Sequence, residues 1–200
     1  MATSYFSMAA ILILILFTTH LNYCLAARKI LISEIYTEFI KTSCGATSYP
    51  DLCFTTFSSY ASEIHASPKI LASKSLSLTL NATRSASKIL KELSKGQGLK
   101  PREAAALKDC MEEISDSVDE VKMSIGEIDE TQGKSFALRM SDIQTWVSAA
   151  LTNEDTCMDG FSESATDGDV KATVGSVIEK VESLTSIALA LVNRYAGTKS

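Results

Sequence analysis

Residues 101–161 decide the fold, and they read PREAAALKDCMEEISDSVDEVKMSIGEIDETQGKSFALRMSDIQTWVSAALTNEDTCMDGF. Apolar side chains recur at steps of three and four on both sides of Gly133, which is the spacing of one face of an α-helix. Before Gly133 they are Leu107, Cys110, Met111, Ile114, Val118, Val121, Ile125 and Ile128, and after it Phe136, Met140, Ile143, Trp146, Val147, Ala150, Cys157, Met158 and Phe161. Because only Thr131–Ser135 connects them, the two predicted helices are antiparallel neighbours.

The same hairpin predicts a disulfide bond. Cys110 lies 23 residues before Gly133 and Cys157 lies 24 residues after it. With a rise of about 1.5 Å per residue on each arm, the two thiols return to the same level. Both cysteines lie at the inner edge of their apolar stripes, so Cys110 and Cys157 are expected to pair wherever the compartment allows oxidation.

The beginning of the chain indicates an oxidising compartment. Met8–Phe17 is an apolar run (MAAILILILF) that is too short to span a bilayer and is typical of a signal peptide. We therefore expect residues 1–27 to be a signal peptide, cleaved after Ala26 or Ala27. Since no other stretch of the sequence could cross a membrane, the mature chain is predicted to be secreted, extracellular and free of the membrane.

The remaining cysteines are even in number. Of five cysteines, Cys24 leaves with the signal peptide, and the other four allow three connectivities. The hairpin selects Cys110–Cys157, which leaves Cys44 with Cys53 at a corner between two short helices. No metal site is expected, because His65 is the only mature histidine and no cysteines have close ligand spacing.

Four long amphipathic segments predict an all-α protein. The first runs from Lys69 to Lys95, the central hairpin supplies the second and third, and the last runs from Val170 to Tyr195. Short loops between such helices favour an up-down-up-down four-helix bundle over residues 69–200. Two short predicted helices, Ser33–Ser43 and Pro50–Ile64, form an N-terminal helical hairpin over residues 28–68. Residues 28–200 are expected to fold together as one domain.

Several function classes fit the sequence poorly. The net charge is −5 and the Lys and Arg residues are scattered, so no nucleic-acid partner is expected. His65 has only Glu63 as an acidic neighbour in sequence, which gives no catalytic triad, and we expect no enzyme and no cofactor. A helical carrier of lipid or small ligands would need room inside, whereas the stripes carry large side chains and no polar anchor.

Short motifs spread over the mature chain resemble the plant invertase and pectin methylesterase inhibitor family, and more closely its pectin methylesterase branch. They are Thr42-Ser43-Cys44, Thr47-Ser48-Tyr49-Pro50-Asp51-Leu52-Cys53, Ala106-Leu107-Lys108-Asp109-Cys110-Met111-Glu112, Ser117-Val118-Asp119-Glu120, Thr145-Trp146-Val147-Ser148-Ala149-Ala150-Leu151-Thr152 and Thr156-Cys157-Met158-Asp159-Gly160-Phe161. The invertase branch is associated with a Pro-Lys-Phe motif. This chain has Pro68-Lys69-Ile70 ahead of the first bundle helix instead, which disfavours invertase as the target.

The resemblance implies a secreted protein inhibitor with the same helical architecture and disulfides. Such a protein forms a one-to-one, reversible, non-covalent complex with a pectin methylesterase of the cell wall and covers its substrate cleft. Acid invertase is the alternative target. Because the chain ends at Ser200, it is expected to be the free-standing inhibitor and not a pro-region fused to an enzyme.

One charged feature could serve such docking. Nine carboxylates face only Lys122 over residues 109–130: Asp109, Glu112, Glu113, Asp116, Asp119, Glu120, Glu127, Asp129 and Glu130. A solvated helix face is the plain interpretation, but like charges three or four residues apart cost a few tenths of a kcal/mol per pair. Our hypothesis is that Glu112, Glu113, Asp116 and Glu120, with Gln144 and Ser148 of the third bundle helix, bind the target enzyme.

Three further residues are noted. Trp146, the only tryptophan, is expected to pack in the core in preference to anchoring an interface. Met123 falls outside the apolar stripe and receives no role. Asn81-Ala82-Thr83 is an N-glycosylation sequon, so Asn81 is a candidate glycan acceptor in a secreted chain.

Overall fold

The computed structural model describes residue 28 and residues 31–131, 135–163 and 168–199; for Ser162, Glu163 and Lys199 it describes the backbone alone. The predicted signal peptide, its cleavage position and the turn residue Gly133 lie outside the described residues.

Helices connected by short turns make up the described ranges, and no strand occurs in them. Helix α1 covers residues 31–44, α2 Pro50–Phe57, α3 Ala61–Ile64, α4 Pro68–Leu93, α5 Pro101–Ile128, α6 Phe136–Glu163 and α7 Asp169–Ala196. Helix α4 packs against α5 and α7, and α6 packs against the same two helices. The four long helices therefore form the up-down-up-down bundle, which confirms the predicted fold class.

Prolines begin three of these helices. Pro50, Pro68 and Pro101 are the first residues of α2, α4 and α5, where a missing backbone N–H costs no helical hydrogen bond. Ser67 caps α4 by accepting a hydrogen bond from the Ile70 backbone N–H over 3.3 Å. The loop between α4 and α5 turns at Gly98, whose φ of 92° suits a residue without Cβ.

The second short helix is interrupted, contrary to the prediction of one helix up to Ile64. Helix α2 ends at Phe57, and a 3₁₀ turn over Ser58–Tyr60 leads into α3. Tertiary contacts favour the break, because it places the Tyr60 ring 4.4 Å from the Lys74 ammonium of α4. Lys74 also pairs with Glu63 of α3 at 2.6 Å. Such long-range contacts are invisible to sequence periodicity.

The core consists of four apolar clusters. The disulfide-end cluster contains Leu90, Leu107, Cys110, Ile114, Cys157, Phe161, Val174 and Ile178. The turn-end cluster contains Leu76, Ile128, Met140, Ile143, Val147 and Val192. Between them lies the central cluster of Leu80, Val121 and Ala150. The hairpin cluster, with Ile40, Phe57, Ile64, Leu71, Ile187 and Leu191, joins α1–α3 to α4 and α7.

The structure contains two disulfides, Cys44–Cys53 and Cys110–Cys157. Their Cα atoms are 5.5 Å and 4.2 Å apart, respectively. The first joins the C-terminal end of α1 to α2. The second joins α5 to α6 in the halves of these helices that lie far from the turn connecting them.

Hydroxyl groups line the bundle interior beside the apolar clusters. Ser117 and Ser124 of α5 are fully buried, whereas Val118 and Ile125 of the predicted stripe are only partly buried. The Ser117 hydroxyl donates a hydrogen bond to the Ala150 carbonyl of α6 over 3.1 Å, and the Thr79 hydroxyl of α4 donates to the Leu184 carbonyl of α7 over 3.2 Å. These small polar groups let the helices approach closely, so α5 is rotated slightly from the orientation that its apolar residues alone predict.

Candidate functional site: the acidic face of α5

The nine carboxylates of residues 109–130, here called the acidic face, lie along α5 and just after its end. Helix α5 is bonded to α6 at several positions. At its N-terminus, α5 is capped by Glu103, whose side chain accepts the Lys100 backbone N–H over 3.0 Å. The Cys110–Cys157 disulfide and the hydrogen bond from Ser117 to Ala150 then attach the next two turns to α6. The acidic face therefore has a fixed geometry in the free protein.

Members of the acidic face differ in exposure. Glu112 and Asp116 are exposed, whereas Glu113 and Glu120 are partly buried on the flank that meets α6. At about 100° per residue, Glu113, Glu120 and Glu127 form one row next to α6, and Asp109 and Asp116 lie farther out. The four α5 residues predicted to bind a target thus form one continuous surface.

Basic residues compensate part of this charge. Lys108 pairs with Glu112 at 3.6 Å and Lys122 pairs with Asp119 at the same distance. Arg139 of α6 approaches Glu127 at 3.4 Å and Glu130 at 2.8 Å. The sequence reasoning missed Lys108 and Arg139, because it counted charges inside residues 109–130 only.

The uncompensated carboxylates repel one another. Burial, together with the negative charges of Asp116 and Glu113, raises the pKa of Glu120 to about 6. The Asn153 amide of α6 donates a hydrogen bond to the Glu120 carboxylate over 3.0 Å, which fixes its position. Asp109, Glu113 and Asp116, which form no ion pair with another described residue, surround it as a patch of unbalanced negative charge.

Gln144 and Ser148 lie away from this patch. The Gln144 amide donates to the Asn193 side chain of α7 over 2.8 Å, so Gln144 is on the α7 flank of α6. Ser148 is exposed, one turn farther along α6. The structure therefore brings the four predicted α5 residues together and places the two predicted α6 residues on the opposite flank.

A buried carboxyl group was missed by sequence reasoning, which expected no polar anchor inside the bundle. Glu154 of α6 is fully buried and accepts a hydrogen bond from the Thr185 hydroxyl of α7 over 2.9 Å. Its other oxygen, Oε2, has no hydrogen-bond partner among the described residues. Desolvation raises the pKa of Glu154 to about 8. The signal was its position, four residues after buried Ala150 and three before buried Cys157.

The surroundings of His65 do not support a role as a catalytic base or a metal ligand. Its side chain is exposed on a residue with φ of 51°, and its Nδ1 lies 2.9 Å from the backbone carbonyl oxygen of Glu63. Within the described ranges, no three His, Cys, Asp or Glu side chains converge in a way that could hold a metal ion.

The sequon lies on a different part of the surface. Asn81 is exposed on α4, whereas Thr83 is buried and its hydroxyl donates to the Thr79 carbonyl over 2.9 Å. No helix within the described ranges is long and apolar enough to cross a membrane.

Three comparisons relate this chain to known proteins. A family model described as plant invertase/pectin methylesterase inhibitor matches residues 38–191. A 21 kDa protein of Daucus carota is 46% identical over 162 residues, which are 80% of this chain and 84% of that protein. Pectinesterase inhibitor 11 of Arabidopsis thaliana is 42% identical over 175 residues, 86% of this chain and 87% of the relative. Pectinesterase inhibitor 10 of the same plant is 49% identical over 165 residues; they cover 81% of this chain but only 52% of that longer protein.

Among solved structures, a mutant form of a pectin methylesterase inhibitor from Arabidopsis has the same fold. Its TM-score is 0.63 at 23% sequence identity, and the match covers 77% of this chain and 95% of that one. The family model covers residues 38–191, and two of the relatives are more than 40% identical over more than 80% of their own length. The chain therefore belongs to the plant invertase/pectin methylesterase inhibitor family.

Proposed function

We propose that this chain is a secreted, non-catalytic inhibitor of a pectin methylesterase, which it binds one-to-one, reversibly and without a covalent bond. The complex blocks the substrate cleft of the enzyme and so limits the de-esterification of pectin in the cell wall. Relatives named pectinesterase inhibitors, which match most of this chain, support pectin methylesterase as the target. Acid invertase, the other target in the family's name, is the alternative.

The observation that carries the docking proposal is the uncompensated patch on α5. De-esterified pectin is a polyanion, so an enzyme that binds and produces it needs cationic groups at its cleft. Glu113, Asp116 and Glu120 follow one another at steps of three and four residues, which places the Cβ atoms of successive members about 5–6 Å apart on the helix. Because the Cys110–Cys157 disulfide holds α5 in place, binding to such a cleft costs little conformational entropy.

Inhibition titrations test the function directly. The full chain is expressed in a secreting plant cell culture, purified in oxidised form and added to purified pectin methylesterase and, separately, to acid invertase. We expect methanol release by the pectin methylesterase to reach its minimum at one equivalent. Inhibition of invertase alone would replace the proposal with its alternative, and inhibition of neither enzyme would overturn both.

Charge reversal tests the docking face. Glu112→Lys, Asp116→Lys and Glu120→Lys together should weaken inhibition at least tenfold. Raising the salt concentration should weaken inhibition by the wild type and so reduce the difference in inhibition between the wild type and this triple variant. The matched control reverses three exposed acids elsewhere, with Glu34→Lys, Asp51→Lys and Glu179→Lys. Equal inhibition by both triple variants would show that the acidic face does not bind the enzyme.

Secretion and glycosylation have their own readouts. The secreted chain should begin at Ala27 or Arg28 by N-terminal sequencing, and treatment with a peptide N-glycosidase should lower its mass by one glycan. Asn81→Gln should abolish that mass change without altering inhibition, because Asn81 lies on α4 and not on the acidic face. An unprocessed N-terminus or an unchanged mass would remove the respective part of the proposal.

A further inference from the structure

Two apolar side chains near the acidic face, one on α5 and one on α6, remain unexplained by packing. Trp146 was expected in the core, yet it is partly exposed and is not among the residues that pack against the four apolar clusters of the described chain. Met123 is 44% exposed, on a helix whose other large apolar side chains are all more buried.

Cross-links between α5 and α6 locate Trp146. Arg139, Trp146 and Asn153 are spaced seven residues apart, so their side chains leave α6 within about 20° of each successive neighbour. The two outer members reach across to α5: Arg139 bonds to Glu127, and Asn153 bonds to Glu120. Trp146 must therefore lie at the α5–α6 seam, opposite the turn of α5 between Glu120 and Glu127.

Met123 occupies that same turn. It follows Glu120 by three residues, which directs its side chain about 60° farther toward solvent than the Glu120 side chain. Asp116 lies one heptad before Met123 on the same row of α5, and Glu127 follows Met123 by four residues on the row next to α6. Carboxylates consequently lie before and after Met123 along α5.

The indole ring retains an unused polar group. Among the described residues, none accepts a hydrogen bond from the Trp146 Nε1–H. A partly exposed tryptophan with a free donor, with an exposed methionine on the neighbouring helix, combines apolar area with one directional hydrogen bond. Protein interfaces have this anatomy, with aromatic anchors at the centre and charged groups at the rim.

We propose that Trp146 and Met123 form the apolar centre of the surface that binds the target enzyme, with Trp146 as its main anchor. This inference rests on the proposed function and refines it, because the acidic patch then supplies the rim and the seam of α5 and α6 supplies the centre. The occupant is a pectin methylesterase, whose cationic cleft groups complement Asp116 and Glu120 beside the apolar contact. Gln144 and Ser148, on the far flank of α6, lie outside this surface.

Alanine substitution measures how much each of the two side chains contributes to binding. Trp146→Ala should weaken inhibition of pectin methylesterase roughly thirty-fold or more, as at interface hot spots, and Met123→Ala by several-fold. Trp146→Phe should restore part of the loss, since it returns aromatic area without the N–H donor. The control is Ile89→Ala, which removes a similarly exposed apolar side chain, 37% accessible, from α4. Thermal unfolding of each variant separates weakened binding from weakened folding.

The single tryptophan gives a second, mutation-free measurement. Wild-type inhibitor labelled with 5-fluorotryptophan has one ¹⁹F resonance, because Trp146 is the only tryptophan. Adding unlabelled enzyme should shift this resonance and protect it from solvent, in proportion to the inhibition reached.

The outcomes are distinguishable. A wild type that inhibits the enzyme while the resonance stays unchanged, or while Trp146→Ala inhibits equally well, overturns the anchor and leaves the proposed function standing. A resonance that shifts with inhibitor concentration alone would indicate a second copy as the occupant and also overturn it. A wild type that does not inhibit any pectin methylesterase overturns both.

Discussion

The two flanks of α6 are held by different physical chemistry. On the flank that meets α5, the links are a disulfide, a neutral hydrogen bond from Ser117 and charged contacts from Arg139 to Glu127 and Glu130. On the flank that meets α7, they are the hydrogen bond between Gln144 and Asn193 and the buried contact between Thr185 and Glu154. The α5 flank therefore depends on oxidation and salt, whereas the α7 flank depends on the protonation of one carboxyl group.

The α5 flank of α6 is held rigidly at any pH, whereas the α7 flank is sensitive to pH. A covalent link constrains α5 and α6 at any pH, which suits a surface that must keep its shape before it meets a partner. The α7 flank contains a carboxyl group without a basic partner among the described residues. Desolvation is the main cause of its raised pKa, and the charges of Glu182 of α7, Asp155 of α6 and Glu120 of α5 act in the same direction. Reduction or high salt should thus weaken the α5 flank alone, and a rise in pH should weaken the α7 flank alone.

The largest expected effect follows from removing the α5–α6 disulfide. Cys110→Ala with Cys157→Ala opens a link with a sequence separation of 47, and the loop-entropy model predicts a loss of about 4 kcal/mol in the free energy of unfolding. Cys44→Ala with Cys53→Ala, at a separation of 9, should cost about 3 kcal/mol. Urea unfolding of the oxidised proteins measures both values. Equal losses, or a larger loss at the short loop, would contradict the loop-length argument.

The second effect is a pH dependence located at Glu154. Its pKa in the folded chain is raised from 4.5 to about 8, so between these pH values the folded chain holds a proton that the unfolded chain has released. The contribution of Glu154 to stability is therefore complete below about pH 4.5 and is lost as the pH rises toward 8, by up to about 1.4 kcal/mol per pH unit. Urea unfolding at pH 5, 6, 7 and 8 measures this slope.

The neutral variant supplies the control for that slope. Glu154→Gln keeps an acceptor for the Thr185 hydroxyl and removes the titration, so its stability should change much less over the same pH range and exceed that of wild type at pH 8. Glu179→Gln, an exposed change on α7, should retain the wild-type slope. If Glu154→Gln shows the full wild-type slope, the pH dependence does not originate at Glu154.

Periodicity predicts most of this fold because four long apolar stripes leave few ways to be buried together. Apart from the interruption after Phe57, the helix bounds agree with the sequence pattern within about two residues, since prolines and glycines lie at many of the ends. Periodicity does not predict burial where small polar residues take core positions. Ser117 and Ser124 look polar in sequence, yet they are buried because each finds a backbone carbonyl within its own or the neighbouring helix. A hydroxyl that satisfies itself locally gives no sign of which face it occupies.

The candidate site was only partly predictable for a related reason. Charge counting found Glu113, Asp116 and Glu120, because their spacing on one helix is a local property. It could not find Arg139 beside Glu127, or the placement of Gln144 beside Asn193, since both depend on how α6 rotates against its neighbours. Glu154 was missed because a single carboxyl group in a helix is usually exposed. Its burial becomes evident only when α7 is placed against α6.

The smallest expected effect tests the salt dependence of the α5 flank. Arg139→Gln removes the cation between Glu127 and Glu130 and should cost about 1 kcal/mol at low ionic strength, because these groups are only partly buried. In 1 M NaCl the wild type loses most of that stabilisation, so the difference between the two proteins should shrink. Gln144→Ala on the α7 flank removes a neutral hydrogen bond, and its cost should stay the same in salt. A salt-independent Arg139→Gln difference would show that Arg139 stabilises α6 through the packing of its alkyl chain and not through its charge.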